Sequence, residues 1–232
     1  MKSFFRSLFP KRRKAEKPHT IAPHMVWKDQ DFFISGSESA RNIAGIPDIR
    51  CFFLQSCLRS IADVPGDVAE CGTRNGKSAL FMLEVLPSNR ALFLFDSFEG
   101  LSDPTPGADS LASSIKPGTN ERIFHNNEPN KVFELFEARS NVHIMKGWIP
   151  DRFDEVADRT FSMVHVDVDL YAPTRDSFEF FYDRLSPHGM MICDDYGSGS
   201  YPGARKAMDE FFQSRPETPV ELPQGQAFIV KR

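Results

Sequence analysis

Cysteine, long apolar runs and net charge are all scarce in this sequence, and each scarcity excludes something. The four cysteines (Cys51, Cys57, Cys71 and Cys193) are scattered, with no CxxC pair and no metal-type Cys/His spacing. A disulfide scaffold and a zinc ribbon are thereby excluded, and a reducing cytoplasm is the expected setting. Apolar runs stop at about five residues, as at Ala91–Phe95. A membrane-spanning helix needs roughly 20. Near the start, Arg6 splits the Phe-Phe and Leu-Phe pairs, so no continuous signal-peptide core is expected. The net charge of −4 over 232 residues argues against a nucleic-acid partner.

What is present fits one large globular domain: 41% hydrophobic and 26% charged residues, with 22 phenylalanines spread over many segments. The charge is uneven. Residues 1–17 carry seven Lys/Arg against one Glu, so the rest of the chain has a net charge of −10. Residues 1–30 read as a basic, flexible arm, and residues 31–232 as the folded domain. Phe4, Phe5, Leu8 and Phe9 beside Lys11-Arg12-Arg13-Lys14 allow a second reading of the arm, as a weak peripheral membrane contact.

Sustained order is expected from Asp48, where Pro47 opens a helical pattern that Pro65-Gly66 ends. Strands are then predicted at 66–71, 91–96, 141–147, 161–169 and 189–195. Helices are predicted at 76–86, 130–139, 172–185 and 203–214, and a closing hairpin at 220–222 and 227–231. This alternation implies an α/β domain with a mostly parallel sheet covered on both faces. Ligands of such sheets bind at the carboxyl ends of the strands. Residues 98–129, rich in Pro, Gly and Ser, are too long for a simple connection and read as a lid or insertion, with His125 within reach of a substrate.

The first strand ends in Glu-Cys-Gly-Thr-Arg-Asn-Gly-Lys-Ser (70–78). Gly72 and Gly76 are one residue too close for a phosphate-binding P-loop, and the dinucleotide pattern GxGxxG fails at Arg74. Glu70 before the turn repels phosphate but suits a sulfonium or ammonium. Asp96 ends the second strand, where an acid commonly takes a ribose diol. Together they point to S-adenosylmethionine. The fourth predicted strand ends in Asp167 and Asp169, which at i and i+2 would share a face, and the fifth in Asp194 and Asp195. Four converging carboxylates call for a hard divalent cation, most simply Mg²⁺. His143 and His165 fall within strands and read as packed or supporting groups. Tyr171 and Tyr196 flank the acids and either shape a pocket or pack.

The runs ECGTRNGKSA, DSFEGL, KGWIPDRF, VDVDLYAPT and LSPHGMMICDDYG, in this order and spacing, resemble the macrocin O-methyltransferase family over roughly residues 45–231. The resemblance implies a Rossmann-like class I methyltransferase with a seven-stranded sheet, and a Mg²⁺-dependent transfer of methyl from S-adenosylmethionine to a sugar or glycan hydroxyl. By the same resemblance Glu70, Gly72, Thr73, Ser78, Asp96, Ser97, Lys146, Gly147 and Trp148 would bind the donor. Asp167, Asp194 and Asp195 would hold the metal, and Asp169 would be the general base. A small-molecule or glycan acceptor and a homo-oligomer are the expected partners. His188 departs from the family pattern, which has glycine there, and Ala172-Pro173 replaces a commoner Glu-Ser. Catechol methylation, an NAD-linked oxidoreductase and a catalytically silent binding protein are the alternatives.

Overall fold

The computed structural model describes residues 26–40, 42–110 and 129–232. The basic stretch 1–17, His125 and the greater part of the 98–129 insertion lie outside the described residues. Seven strands form one sheet in the order β3-β2-β1-β4-β5-β7-β6. They are β1 (Asp67–Cys71), β2 (Leu92–Asp96), β3 (Val142–Lys146), β4 (Phe161–Val166), β5 (Leu185–Cys193), β6 (Val220–Glu221) and β7 (Ala227–Val230). The first five pair in parallel, while β7 runs antiparallel to both β5 and β6. Six helices accompany them among the described residues: α1 (Asp31–Ser39), α2 (Asp48–Ser60), α3 (Lys77–Leu83), α4 (Pro129–Phe136), α5 (Tyr171–Arg184) and α6 (Pro202–Phe212). None is long and apolar enough to cross a membrane.

Alternate strand residues feed two separate cores, because successive side chains on a strand point to opposite faces. Leu92, Leu94, Met163, Met190 and Ile192 pack with residues of α1, α2 and α3. Phe93, Phe95, Val164, Met191 and Cys193 pack with Phe178 and Phe181 of α5 and with Met208 and Phe211 of α6. Much of the phenylalanine excess is accounted for on this second face. Phe153 stands 5.1 Å from Phe95 and 4.9 Å from Phe181, and Phe161 stands 5.0 Å from Phe181, all edge to face. All four cysteines are buried and unpaired.

The structure corrects several sequence expectations. Order begins before Asp48: α1 buries Phe33, and Trp27 and Phe33 both pack on Phe52 of α2. This helix is short, and its apolar residues find their partners on α2 and α3 rather than in a periodicity of their own. The strand predicted to 169 stops at Val166, so Asp167 and Asp169 lie in a turn and not at i and i+2 of a strand. His143 is not packed inside: it is exposed on edge strand β3, stacked on Phe93 at 4.9 Å.

Strand β5 begins at Leu185 rather than 189, with a register shift between its pairings to Phe161 and Met163. At that irregularity His188 is exposed and has φ +68, left-handed backbone that disfavours any Cβ. The family's glycine at this place now has a physical reason. His188→Gly relieves about 1–2 kcal/mol of backbone strain and returns part of it as unfolded-chain entropy. A net gain of about 0.5–1 kcal/mol in urea unfolding is the expected result. A destabilised variant would mean that the imidazole itself supports the fold.

Candidate functional site

Strand order reverses at β1: the chain continues to β2 and β3 on one side, and β4 and β5 lie on the other. In such sheets this reversal opens a crevice beyond the strand ends. A cavity of about 320 Å³ occupies it here. Its lining joins the glycine turn after β1 (Gly72, Thr73, Ser78), Asp96 and Ser97 after β2, and Trp148 after β3. Asp167 and Asp169 after β4, and Asp194 and Asp195 after β5, complete it. Ten of the residues singled out from sequence thus face one space.

Three others do not line it. Glu70 is fully buried, with Oε1 at 3.0 Å from His165 Nδ1. Lys146 is exposed, with its carbonyl accepting from Arg152 at 2.6 Å, and Gly147 donates its N–H to the Asp96 carbonyl at 3.0 Å. The sheet register explains Glu70. It pairs laterally with His165, which pairs with Ile192, two residues before Asp194. Glu70, His165 and Asp194 therefore form a polar row on one face of three neighbouring strands.

His165 Nε2 lies 3.3 Å from Asp194 Oδ1, so each ring nitrogen meets a carboxylate. Burial alone would depress the imidazole pKa, but the bonds to Asp194 and Glu70 raise it to about 9. His165 is thus an imidazolium donating both N–H groups. Asp194 also accepts from Gln226 Nε2 at 2.7 Å and pairs with Arg50 Nη1. Burial pushes its carboxyl upward, yet the His165 and Arg50 contacts hold it below the usual carboxylate range.

The remaining acids are less fully compensated. Burial, then Asp194 and Asp195, push Asp167 well above its ordinary value, and burial with Asp195 does the same to Asp169. Asp195 rises to about 6 for the same two reasons, burial first and Asp194 second. Asp169 is held at φ +62, its N–H donating to Asp195 Oδ2 at 3.1 Å. Asp96 accepts the Arg74 N–H on Oδ2 and the Phe98 N–H on Oδ1, each at 2.6 Å. Burial raises its pKa against those two bonds and a third from the Thr73 backbone. A carboxylate has about four acceptor positions, so Asp96 keeps room for a ligand hydroxyl.

A family profile described as macrocin-O-methyltransferase matches residues 39–222. The chain belongs to the macrocin O-methyltransferase family. It is 34% identical over 159 residues to the Streptomyces olivaceus 8-demethyl-8-(2,3-dimethoxy-alpha-L-rhamnosyl)-tetracenomycin-C 4'-O-methyltransferase, covering 62% of this chain and 58% of that protein. Demethyldecarbamoylnovobiocin O-methyltransferase of Streptomyces niveus is 27% identical over 169 residues, covering 68% and 63%. The chain therefore spans about three fifths of the length of these curated relatives. Among solved structures, the O-methyltransferase NovP superimposes with a TM-score of 0.67 at 24% identity, over 80% of this chain and 81% of that one. The calicheamicin methyltransferase CalS11 gives 0.67 at 17% identity, over 86% and 91%. These two likenesses establish the fold as that of the class I O-methyltransferases.

In this member of the macrocin O-methyltransferase family, several cavity residues carry no sequence signal of their own. Arg50 sits in the first turn of α2, well before the first strand end, and reaches the site only through tertiary packing. Its Nε and Nη2 donate to the Gln224 carbonyl at 3.1 and 2.8 Å, tying the β6–β7 turn to Asp194. Tyr201 lines the cavity, whereas Tyr171 and Tyr196 turn away to Glu210 and Asp209. Burial, followed by Asp169 and Asp195, lifts the Tyr201 phenol to about 12, so it stays protonated. Pro173, one of the departures from the family pattern, is also on the cavity wall.

Proposed function

We propose that the protein transfers a methyl group from S-adenosylmethionine to a hydroxyl of a sugar or sugar-bearing metabolite, with Mg²⁺ bound by Asp167, Asp194 and Asp195. The observation that carries the reading is the convergence of Asp96, the glycine turn and four further aspartates, two of them buried and two half-buried, on one cavity. The names of the curated relatives, rhamnosyl-tetracenomycin and mycinamicin methyltransferases among them, favour a sugar hydroxyl.

The residues fit both groups. Thr73 Oγ1 is buried without a partner and lies on the glycine turn, a free polar atom facing the donor site. Asp96 retains acceptor capacity for a ribose hydroxyl. Ligand-bearing atoms of His165, Asp167 and Asp194 lie within 4.8 Å of one another. With both His165 nitrogens on carboxylates, Asp167 and Asp194 are the oxygen donors of this group, and Asp195 joins them on the cavity wall. Such a cation, when bound, lowers the pKa of a hydroxyl oxygen it touches.

The chain's own residues do the rest. Asp96 and the turn at Gly72–Thr73 orient the donor. Asp169, on the cavity wall two residues after Asp167, takes the hydroxyl proton. The oxygen–methyl bond forms as the sulfur–methyl bond breaks, releasing a neutral thioether.

The test is methyl transfer from radiolabelled S-adenosylmethionine to a panel of nucleotide sugars and rhamnosyl glycosides, with and without Mg²⁺. Asp169→Asn is expected to lower kcat about a hundredfold. Its affinity for S-adenosylmethionine, read by calorimetry, is expected to stay within about threefold. Full activity of that variant, or no binding of the donor by the native protein, overturns the reading.

A further inference from the structure

Asp109 plays no part in the chemistry above, yet its carboxylate joins three elements around the cavity. Its Oδ1 accepts the Tyr171 N–H at 3.0 Å and its Oδ2 accepts the Thr105 N–H at 2.7 Å. Helix α5 needs that acceptor. The first N–H groups of any helix lack internal partners, and the residue before this one, Leu170, has no side chain to serve. The cap comes instead from a residue 62 positions earlier. The same carboxylate is seated against Gly203, in the first turn of α6. A Cβ there would stand 2.9 Å from Asp109 Cγ and 2.8 Å from the Tyr171 nitrogen. Lys206 of α6 adds a bond to the Gly107 carbonyl at 3.5 Å.

Two consequences meet at this carboxylate. The loop at 98–110 contributes Gly100, Leu101 and Ser102 to the cavity wall, and Asp109 fastens it to the starts of α5 and α6. Tyr171 follows Asp169 by two residues, across a tight turn in which the Leu170 N–H bonds the Val168 carbonyl at 2.6 Å. Asp169 itself is held at a positive φ in that turn. A shift of the first residue of α5 therefore moves Asp169.

We propose that Asp109 is a positioning residue: by capping α5 and seating the loop on α6, it sets where Asp169 stands and where the cavity wall closes on the acceptor. The inference rests on the reading of Asp169 as proton acceptor. A misplacement of about 1 Å at a reacting group is enough to lower a rate a hundredfold.

The experiment compares the native protein with Asp109→Ala, Asp109→Asn and Asp169→Asn. Calorimetry with S-adenosylhomocysteine reports the donor site. Hydrogen exchange is followed at 98–110 and 167–177, and methyl transfer is measured on the sugar panel. Asp109→Ala is expected to exchange at least tenfold faster in both segments together and to bind S-adenosylhomocysteine within about threefold of the native protein. Its kcat is expected to fall at least tenfold, more than KM changes. Asparagine keeps one acceptor oxygen but turns an N–H₂ toward the second donor, so Asp109→Asn falls between the two. That variant decides the matter if the alanine form does not fold. Unchanged exchange at 167–177, or a native kcat in the Asp109 variants while Asp169→Asn is slow, overturns the inference. A native protein without activity, or an active Asp169→Asn, overturns the methyl-transfer reading instead, and the exchange data then still decide whether Asp109 holds the two segments.

Discussion

Asp194→Ala is expected to lose about 3–5 kcal/mol of folding stability along with its turnover, the usual cost of removing one member of a buried ion pair. The carboxylate takes the His165 imidazolium at 3.3 Å and the Gln226 amide at 2.7 Å, and it pairs with Arg50. Without it, the imidazolium keeps Glu70 and the guanidinium loses the carboxylate it pairs with. Urea unfolding checks the expectation, and a variant as stable as the native protein would contradict it. Lost activity in Asp194→Ala is therefore poor evidence for a metal ligand. Asp167 separates the two roles, because its carboxyl is raised by burial and by the charges of Asp194 and Asp195. Asp167→Asn removes a like charge from the cluster. It is expected to be at least as stable as the native protein while turning over far more slowly.

Gly72→Ala is expected to cost more than about 4 kcal/mol, in the range reached only by severe core or backbone lesions. Gly72 has φ +90, and a Cβ there would lie 2.6 Å from the carbonyl carbon of Asp167. That neighbour is backbone and is itself fixed, since the Asp167 N–H bonds the Cys71 carbonyl at 2.8 Å. The Gly72 N–H bonds the Phe95 carbonyl, also at 2.8 Å. Relief would require opening the β1–β4 or the β1–β2 ladder, the two seams that bound the cavity. Thermal unfolding and calorimetry with S-adenosylhomocysteine test this together. A native-like melting temperature with intact binding would show that the turn is far more compliant than its geometry.

The parallel strands were readable because strands buried on both faces are nearly continuous apolar runs, and the charged residues that interrupt them mark their ends. Asp96, Asp194 and Asp195 stand at such interruptions, and all three line the cavity. Asp167 and Asp169 were found by the same signal but with the wrong local geometry, since a positive φ at an aspartate leaves no trace in a pattern of period two. Glu70 shows the opposite failure. Its type suits a cationic ligand, but its partner is set by the pairing of β1 with β4, and that pairing put His165 beside it. Arg50 and Asp109 were invisible for a third reason. Each reaches its contact across 144 or 62 positions, and neither sits in a motif.

The contacts of Asp194 also impose an order on assembly. Synthesis runs from the amino end, so a growing chain exposed only through Asp195 has all four aspartates of the cavity but not yet Gln226 or the Gln224 carbonyl. At that stage Asp194 lacks one of its three donors, and Arg50 lacks the backbone oxygen that aims it. The hydrogen bonds of the acidic centre are complete once β7 pairs with β5 and brings the β6–β7 turn to Arg50 and Asp194. The antiparallel pair at the sheet edge thus sets the moment at which the middle of the molecule can close.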